Sequence, residues 1–302
     1  MREPPIIRLL PDGRRVHLHD GPIDLILEAW GAPAAVRAAH RAAAGRMNGL
    51  LDELCEELAI LRAPVGAVNP IPAGPVARRM QAAVQPYAAE CFITPMAAVA
   101  GAVAEAVLAV MVEAAPLDRA YVNNGGDIAL HLAPGESFTT GLVDRPDRPT
   151  LVGRALVRAE DGVCGIATSG RHGRSFSLGI ADAVTILAAT AADADAAATI
   201  VANAVDLPGH PGIVRLPADS LDPNSDLGGR LVTRDVPPLQ PAERDLALAR
   251  GLARSVGLML GGRIVAASLH LQGITRTIGT LMPSPASVGD QETEPVRRMH
   301  HA

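Results

Sequence analysis

The segment Asn123-Asn124-Gly125-Gly126-Asp127-Ile128 decides how this 302-residue chain is read. It separates two apolar stretches, Ala120-Tyr121-Val122 and Ile128-Ala129-Leu130-His131-Leu132. Adjacent glycines inside a strand pattern cost backbone entropy, so they mark a bulge, a turn or a close approach of the backbone to something else. Two asparagines and an aspartate stand where a strand favours β-branched residues. From these residues alone two readings are open: a hairpin turn of the Asn-Gly kind, or polar groups gathered for a site.

Outward from this segment the chain reads as strands in the middle and helices on the flanks. Apolar and polar residues alternate over 6–10 and 15–19 around Pro11-Asp12-Gly13, which predicts a hairpin, and 23–29 reads as a third strand after Gly21-Pro22. Helical spacing predicts a long helix over 33–58, a short one over 78–89 and a buried one over 95–114, with a Pro- and Gly-rich loop at 62–76. Strands are expected near 118–123, 127–132, 137–143, 151–159, 162–168, 184–188, 231–236 and 263–271, with helices over 191–205 and 242–258. The pattern argues an α+β fold with antiparallel or mixed sheets flanked by long helices. Residues 1–282 read as one domain, and 283–302 have the composition of a flexible tail.

Composition narrows the function classes. Hydrophobic residues make up 48% of the chain but aromatics only 2%, so the core is built from Ala, Val, Leu and Ile. A net charge of −5 and a pI near 6.0 leave no basic footprint for nucleic acid, and few rings are present for bases to stack on. Cys55, Cys91 and Cys164 are odd in number and far apart, which speaks against a disulfide framework or a zinc-thiolate site and for a reducing cytoplasm. No apolar h-region follows the N-terminal methionine, and the run 96–112, interrupted by Glu105, is too short and small-sided for a membrane span.

Beyond residue 120, three segments follow one another in a telling order. Asn124-Gly125-Gly126-Asp127-Ile128 precedes Gly165-Ile166-Ala167-Thr168-Ser169-Gly170, and Ala194-Asp195-Ala196-Ala197-Ala198-Thr199 comes last. This set resembles the ApbE superfamily, a T-fold-related group whose characterised members are FAD:protein FMN transferases. Gly21-Pro22-Ile23-Asp24-Leu25, Thr94-Pro95-Met96-Ala97-Ala98-Val99-Ala100-Gly101-Ala102 and Ser225-Asp226-Leu227-Gly228 resemble a little-characterised branch of it met in methanogens and some methylotrophic bacteria. The resemblance implies a ligand site at Asn124, Gly125, Gly126, Thr168, Ser169 and Gly170, with Asp127 in a catalytic role. It also implies Mg²⁺ on Asp195 and Thr199. The spacing agrees, because residues four apart share a helix face and both supply the hard oxygens that Mg²⁺ takes. A first-turn aspartate serving the helix dipole is the alternative.

The chain departs from the transferases where they carry a His-x-x-Asp-Pro-x-Thr-Gly segment that contributes to the flavin site. Arg171-His172-Gly173-Arg174-Ser175-Phe176-Ser177 stands there instead, so FAD binding and FMN transfer lose their support. The replacement loop offers hydroxyls, flexible amides and the Arg171 and Arg174 guanidiniums to a phosphate or carboxylate, with His172 as a candidate acid or base. A solvated turn is the other reading. Elsewhere, an unpaired Glu105 in the apolar helix would be costly, so it reaches the surface or a partner. Cys164 reads as a small core residue, and 219–229 as a polar turn. His17 and His19 share one strand face with no carboxylate at a telling spacing, so no metal is expected there.

Together these features predict an ApbE-like enzyme, metal-assisted, acting on an anionic, nucleotide- or cofactor-like small molecule of flavin or pterin type. Two alternatives stand beside it: a non-catalytic small-molecule-binding protein on the same fold, and an FAD:protein FMN transferase. Self-association through the Ala/Gly-rich helix is compatible with each.

Overall fold

A computed structural model describes residues 4–66, 69–145 and 150–279. The N-terminal turns act as predicted: β1 (Ile6–Leu9), β2 (Val16–Asp20) and β3 (Ile23–Trp30) form an antiparallel meander. Val16 and Leu18 alternate with His17 and His19, so one face of β2 enters the core and the other meets solvent. The expected helix over 33–58 is three helices, α1 (Pro33–Met47), α2 (Leu50–Glu56) and α3 (Leu58–Leu61). Gly49, at φ +79°, breaks the first from the second in a left-handed conformation that a side chain would disfavour.

After α4 (Pro75–Val84) comes α5 (Val99–Ala114), entered through a 3₁₀ turn at Pro95–Ala98. The segment Pro95–Ala114 has a mean hydropathy of 2.0 and is long enough to cross a membrane by length and composition, contrary to the sequence expectation that it is too short. Its placement decides its role. Gly101, Ala102, Val103, Ala104, Val107 and Met111 are buried in the main core.

The middle of the chain supplies β4 (Arg119–Asn124), β5 (Asp127–Leu132), β6 (Ser137–Val143), β7 (Leu151–Arg158), β8 (Gly165–Ser169) and β9 (Ala183–Ala188). Then come α6 (Ala191–Ala204), β10 (Val214–Pro217), α7 (Ala218–Leu221), β11 (Leu231–Asp235), α8 (Pro241–Leu260), β12 (Ala266–Leu271) and β13 (Ile274–Gly279). The described residues form a nine-stranded sheet in the order β1-β2-β3-β4-β5-β8-β9-β12-β13, antiparallel at every pairing. β13 is an addition to the expected strands, turned back at Gln272–Gly273, both with positive φ. The residues expected to form a flexible tail lie outside the described ones.

Helices α1, α5, α6 and α8 cover one face of the sheet, and the β6–β7 ribbon covers part of the other. The small side chains foreseen in the core let helices approach closely. In α6, Ala191, Ala192, Ala194, Ala196, Ala197 and Ala198 are all buried. At Gly101 an added Cβ would lie well inside 3.0 Å of the Ala191 backbone, so α5 meets the start of α6 where only glycine fits. Cys164 corrects the sequence reading: it is exposed at the entrance to β8.

Candidate functional site

The opening segment is a hairpin turn, and its polar side chains reach out to other elements. Gly125 and Gly126, at φ +66° and +117°, are the two residues of a hairpin turn, with Asn124 paired to Asp127 across it. A two-residue hairpin loop demands positive φ, which the glycines supply without strain. The Gly126 amide donates to Asn123 Oδ1 at 2.8 Å, closing the turn. Asn124 is buried, and its Nδ2 donates to the Ala100 carbonyl at 3.2 Å, which ties the turn to the start of α5.

The turn thereby aims Asp127 toward the helical layer, where Asp195 arrives from α6. The Thr168 amide donates to Asp127 Oδ1 at 3.1 Å, and the Gly101 amide donates to Asp195 Oδ2 at 3.0 Å. Each residue keeps some solvent contact, yet protein packs densely around both carboxyls. Burial pushes Asp127 up to about 7 against an ordinary 3.8, only partly offset by the Thr168 amide. Burial raises Asp195 well above its usual range too, and the nearby Asp127 carboxyl raises it further. No cationic side chain among the described residues offsets either group. Two like charges in a desolvated place cannot both persist cheaply. The arrangement favours a shared proton or a bound cation.

Thr199 is half-buried four residues beyond Asp195 on α6, so its hydroxyl belongs to the same helix face. Thr168 also joins its Oγ1 to Thr185 Oγ1 at 2.9 Å. Glu105, the other acid of α5, found the partner expected of it. Its Oε1 accepts the Ala192 amide at 2.7 Å and its Oε2 meets Arg79 Nε at 2.7 Å, so it serves the N-terminus of α6.

The loop after β8 is built differently from the open anion cradle that its composition suggests. Arg171 lays its fork on Asp182, Nη2 at 2.6 Å and Nε at 2.9 Å from Oδ1. His172 brings Nε2 to 3.3 Å from the same oxygen and Nδ1 to 3.3 Å from Arg145 Nη2. The Gln272 amide donates to Asp182 Oδ2. The Arg171 amide is spent on the Ala181 carbonyl and the Gly173 amide on the Gly170 carbonyl. Ser169 and Gly170 lead into this knot, and a Cβ at Gly170 would strike the Asp182 carbonyl. Arg174 alone reaches outward, exposed, with Nη2 3.4 Å from Asp24 Oδ2, and it lies over Gly125. The structure thus brings Asn124, Asp127, Thr168 and Asp195 together. Arg171 and His172 are joined to Asp182, and Arg174 to the turn.

Sequence reasoning missed Gly101, Asp182 and Asp24. Gly101 lay within a quoted motif, but its amide matters only through a contact with α6 far along the chain. Asp182 was equally hidden. Asp24 had a signal, since the tight turn at Gly21-Pro22 places it opposite His19. The polar loop near 219–229 is tied down by a hydrogen bond from Thr94 Oγ1 to the Asp226 carboxylate.

A nine-stranded antiparallel sheet with a carboxylate pair between its hairpin turn and the helical layer defines the class. Comparison with known proteins supplies the family: the chain belongs to the family described as AbpE bacteria, whose model matches residues 7–277. This bears out the expected divergent ApbE-like branch. A UPF0280 protein of Methanopyrus kandleri is 42% identical over 129 residues, covering 42% of this chain and 48% of that protein. A UPF0280 protein of Methanoregula boonei is 34% identical over 162 residues, covering 52% and 67%. The chain spans about half the length of the first of these curated relatives. The solved apo structure of Pseudomonas stutzeri flavinyl transferase ApbE superposes with a TM-score of 0.45 at 12% identity, over 90% of this chain and 94% of that one.

Proposed function

We propose that the chain is an ApbE-like enzyme whose reaction centre is the Asp127–Asp195 pair, working with a divalent cation of the Mg²⁺ kind on an anionic, nucleotide- or cofactor-like small molecule. The pair itself supports this reading. Two desolvated carboxyls with no cationic neighbour cost several kcal/mol unless something positive joins them. The donor set suits Mg²⁺: two carboxylates and the Thr199 hydroxyl are hard oxygens. A cation there would neutralise the pair and polarise an oxygen of an anionic substrate. The protein's own part is to fix the acids, through the Thr168 and Gly101 amides. The flavin- or pterin-like class of ligand is part of the proposal and is taken from the resemblance of the sequence motifs to the flavin transferases.

FMN transfer is the narrower version. Little in the loop supports it, because Arg171 and two loop amides are already engaged within the protein and the transferases' histidine segment is missing. A non-catalytic binding protein is the second reading. Its support is that His172, the candidate acid or base, is tethered to Asp182. A cytoplasmic setting agrees with three exposed free cysteines, which call for a reducing compartment.

The test is thermal melting with FAD, FMN, ADP and a pterin, each with and without Mg²⁺. A ligand at a hundred times its Kd stabilises by about 2.7 kcal/mol. A Mg²⁺-dependent shift with one of these compounds, lost in Asp195→Asn, is the expected result. Ligand shifts that ignore both Mg²⁺ and Asp195 would favour the binding protein.

A further inference from the structure

On the opposite face of the same sheet, beyond the cover of the β6–β7 ribbon, lies a second cluster. The register of the β2–β3 hairpin sets His19 directly opposite Asp24 and His17 opposite Ile26. His17, His19 and Asp24 therefore project from one face. One ligand atom from each of the three can be chosen so that all lie within 4.8 Å of one another. His17 Nε2 and Asp24 Oδ1 stand 2.6 Å apart, and the two imidazole rings have centroids 6.1 Å apart. All three residues are half-buried. β3 pairs Ile26 with Asn123, whereas Asp127 pairs with Asn124, so this cluster and the Asp127–Asp195 pair occupy opposite faces near one hairpin turn.

We propose that His17, His19 and Asp24 form a site for a divalent transition-metal ion of the zinc type. Two imidazole nitrogens and one carboxylate oxygen are the donor set that borderline metals take, and three protein ligands leave a position open. The hairpin holds the ligands on paired strands, which position side chains more firmly than a loop does. Entry of the ion replaces the His17–Asp24 hydrogen bond by two metal bonds, so that 2.6 Å contact opens while the His19 imidazole, whose ligand atom lies within 4.8 Å of the other two, turns in to join them. Space for a further ligand adjoins the cluster: Asp24, Ile26, Asn123, Gly125 and Gly126 line a depression of about 150 Å³. Arg174 borders it, its guanidinium near Asp24 and Gly125, and β1 sets Arg8 opposite His17. Cations on both sides suit an oxyanion, a phosphate or carboxylate, in the open coordination position.

Co²⁺ is the probe, because its d–d absorption reports ligand number and type and Zn²⁺ displaces it. The full chain is titrated with CoCl₂ alongside His19→Ala, Asp24→Asn and Asp195→Asn, with the fold of each variant checked by its melting curve. With excess Mg²⁺ present to occupy the Asp127–Asp195 pair, the expected result is one equivalent of Co²⁺ with a visible d–d spectrum, competed off by Zn²⁺. Affinity falls at least tenfold in His19→Ala and in Asp24→Asn, in line with the loss of a ligand, and is unchanged in Asp195→Asn. Absence of binding to the unaltered chain would overturn the proposal. So would a spectrum that survives both His19→Ala and Asp24→Asn, or one abolished by Asp195→Asn alone, which would move the ion to the other face.

Discussion

Replacing Asp195 with asparagine isolates the electrostatics of the carboxylate pair. The amide oxygen can still accept the Gly101 amide, so the change removes charge while keeping shape. Asp127 titrates near 7 in the folded chain against an ordinary 3.8. Its raised value means the folded state holds a proton that the unfolded chain has released. Stability contributed by the protonated form is therefore fully present below about pH 4 and is lost as pH rises through about 7. A shift of about three units at 1.36 kcal/mol each sets a ceiling of about 4 kcal/mol. Solvent contact at the pair trims this, and a loss of about 2–4 kcal/mol across that window is expected without divalent ions. Asp195→Asn removes the second raised carboxyl, which burial and the Asp127 charge together hold protonated in the folded chain, while Asp127 keeps the rise that burial causes. The loss should shrink by about 1–2 kcal/mol, leaving the variant more stable than the parent at pH 8. Urea unfolding in EDTA at pH 5, 6, 7 and 8, with equal m-values as the control, reads this directly. A variant with the parent's pH slope, or one less stable at pH 8, refutes the reasoning.

Three further outcomes follow from named contacts. Gly101→Ala forces a methyl onto the Ala191 backbone and should cost more than about 3 kcal/mol in urea unfolding, with the response to Mg²⁺ lost as well; a cost under about 1 kcal/mol would mean that α5 and α6 have room to part. Asp182→Ala takes the shared carboxylate from Arg171 and His172 and should cost about 2–4 kcal/mol by the same method, because a largely covered guanidinium loses its counter-charge. His270 is held below its ordinary 6.5 by burial, so the folded chain loses stability as pH falls through 6.5 toward that lowered value. His270→Asn should flatten that acid limb in the same titration, and an unchanged limb would assign it to another group.

Local chemistry made most of the fold legible. Turn residues at 11–13, 21–22 and 125–126 placed the hairpins, and the scarcity of aromatics foretold a core closed mainly by small aliphatic side chains. The errors came where one residue's conformation outweighed a periodic pattern. Gly49 divided a helix that its neighbours favoured, and the Gln272–Gly273 turn added an edge strand. In the site, the sequence pointed to Asp127 and Asp195 separately through resemblance. Their meeting depends on contact between distant segments, which no local pattern encodes. Arg171 illustrates the same limit: its guanidinium looks available until Asp182 is placed beside it. Asp24 is the opposite case. Counting residues across the turn at Gly21-Pro22 would have set it against His19.

The proposed binding of a divalent cation by Asp127 and Asp195 can be measured on the chain itself. Mn²⁺ binding followed by the loss of its free-ion electron paramagnetic resonance signal tests this most directly. The experiment is run in a His17→Ala/His19→Ala background so that the outer cluster does not contribute. The expected result is one Mn²⁺ per chain, displaced by Mg²⁺, and no binding when Asp195→Asn is added. Mn²⁺ binding that persists with Asp195→Asn, or an ion signal that the parent background leaves unchanged, would contradict it.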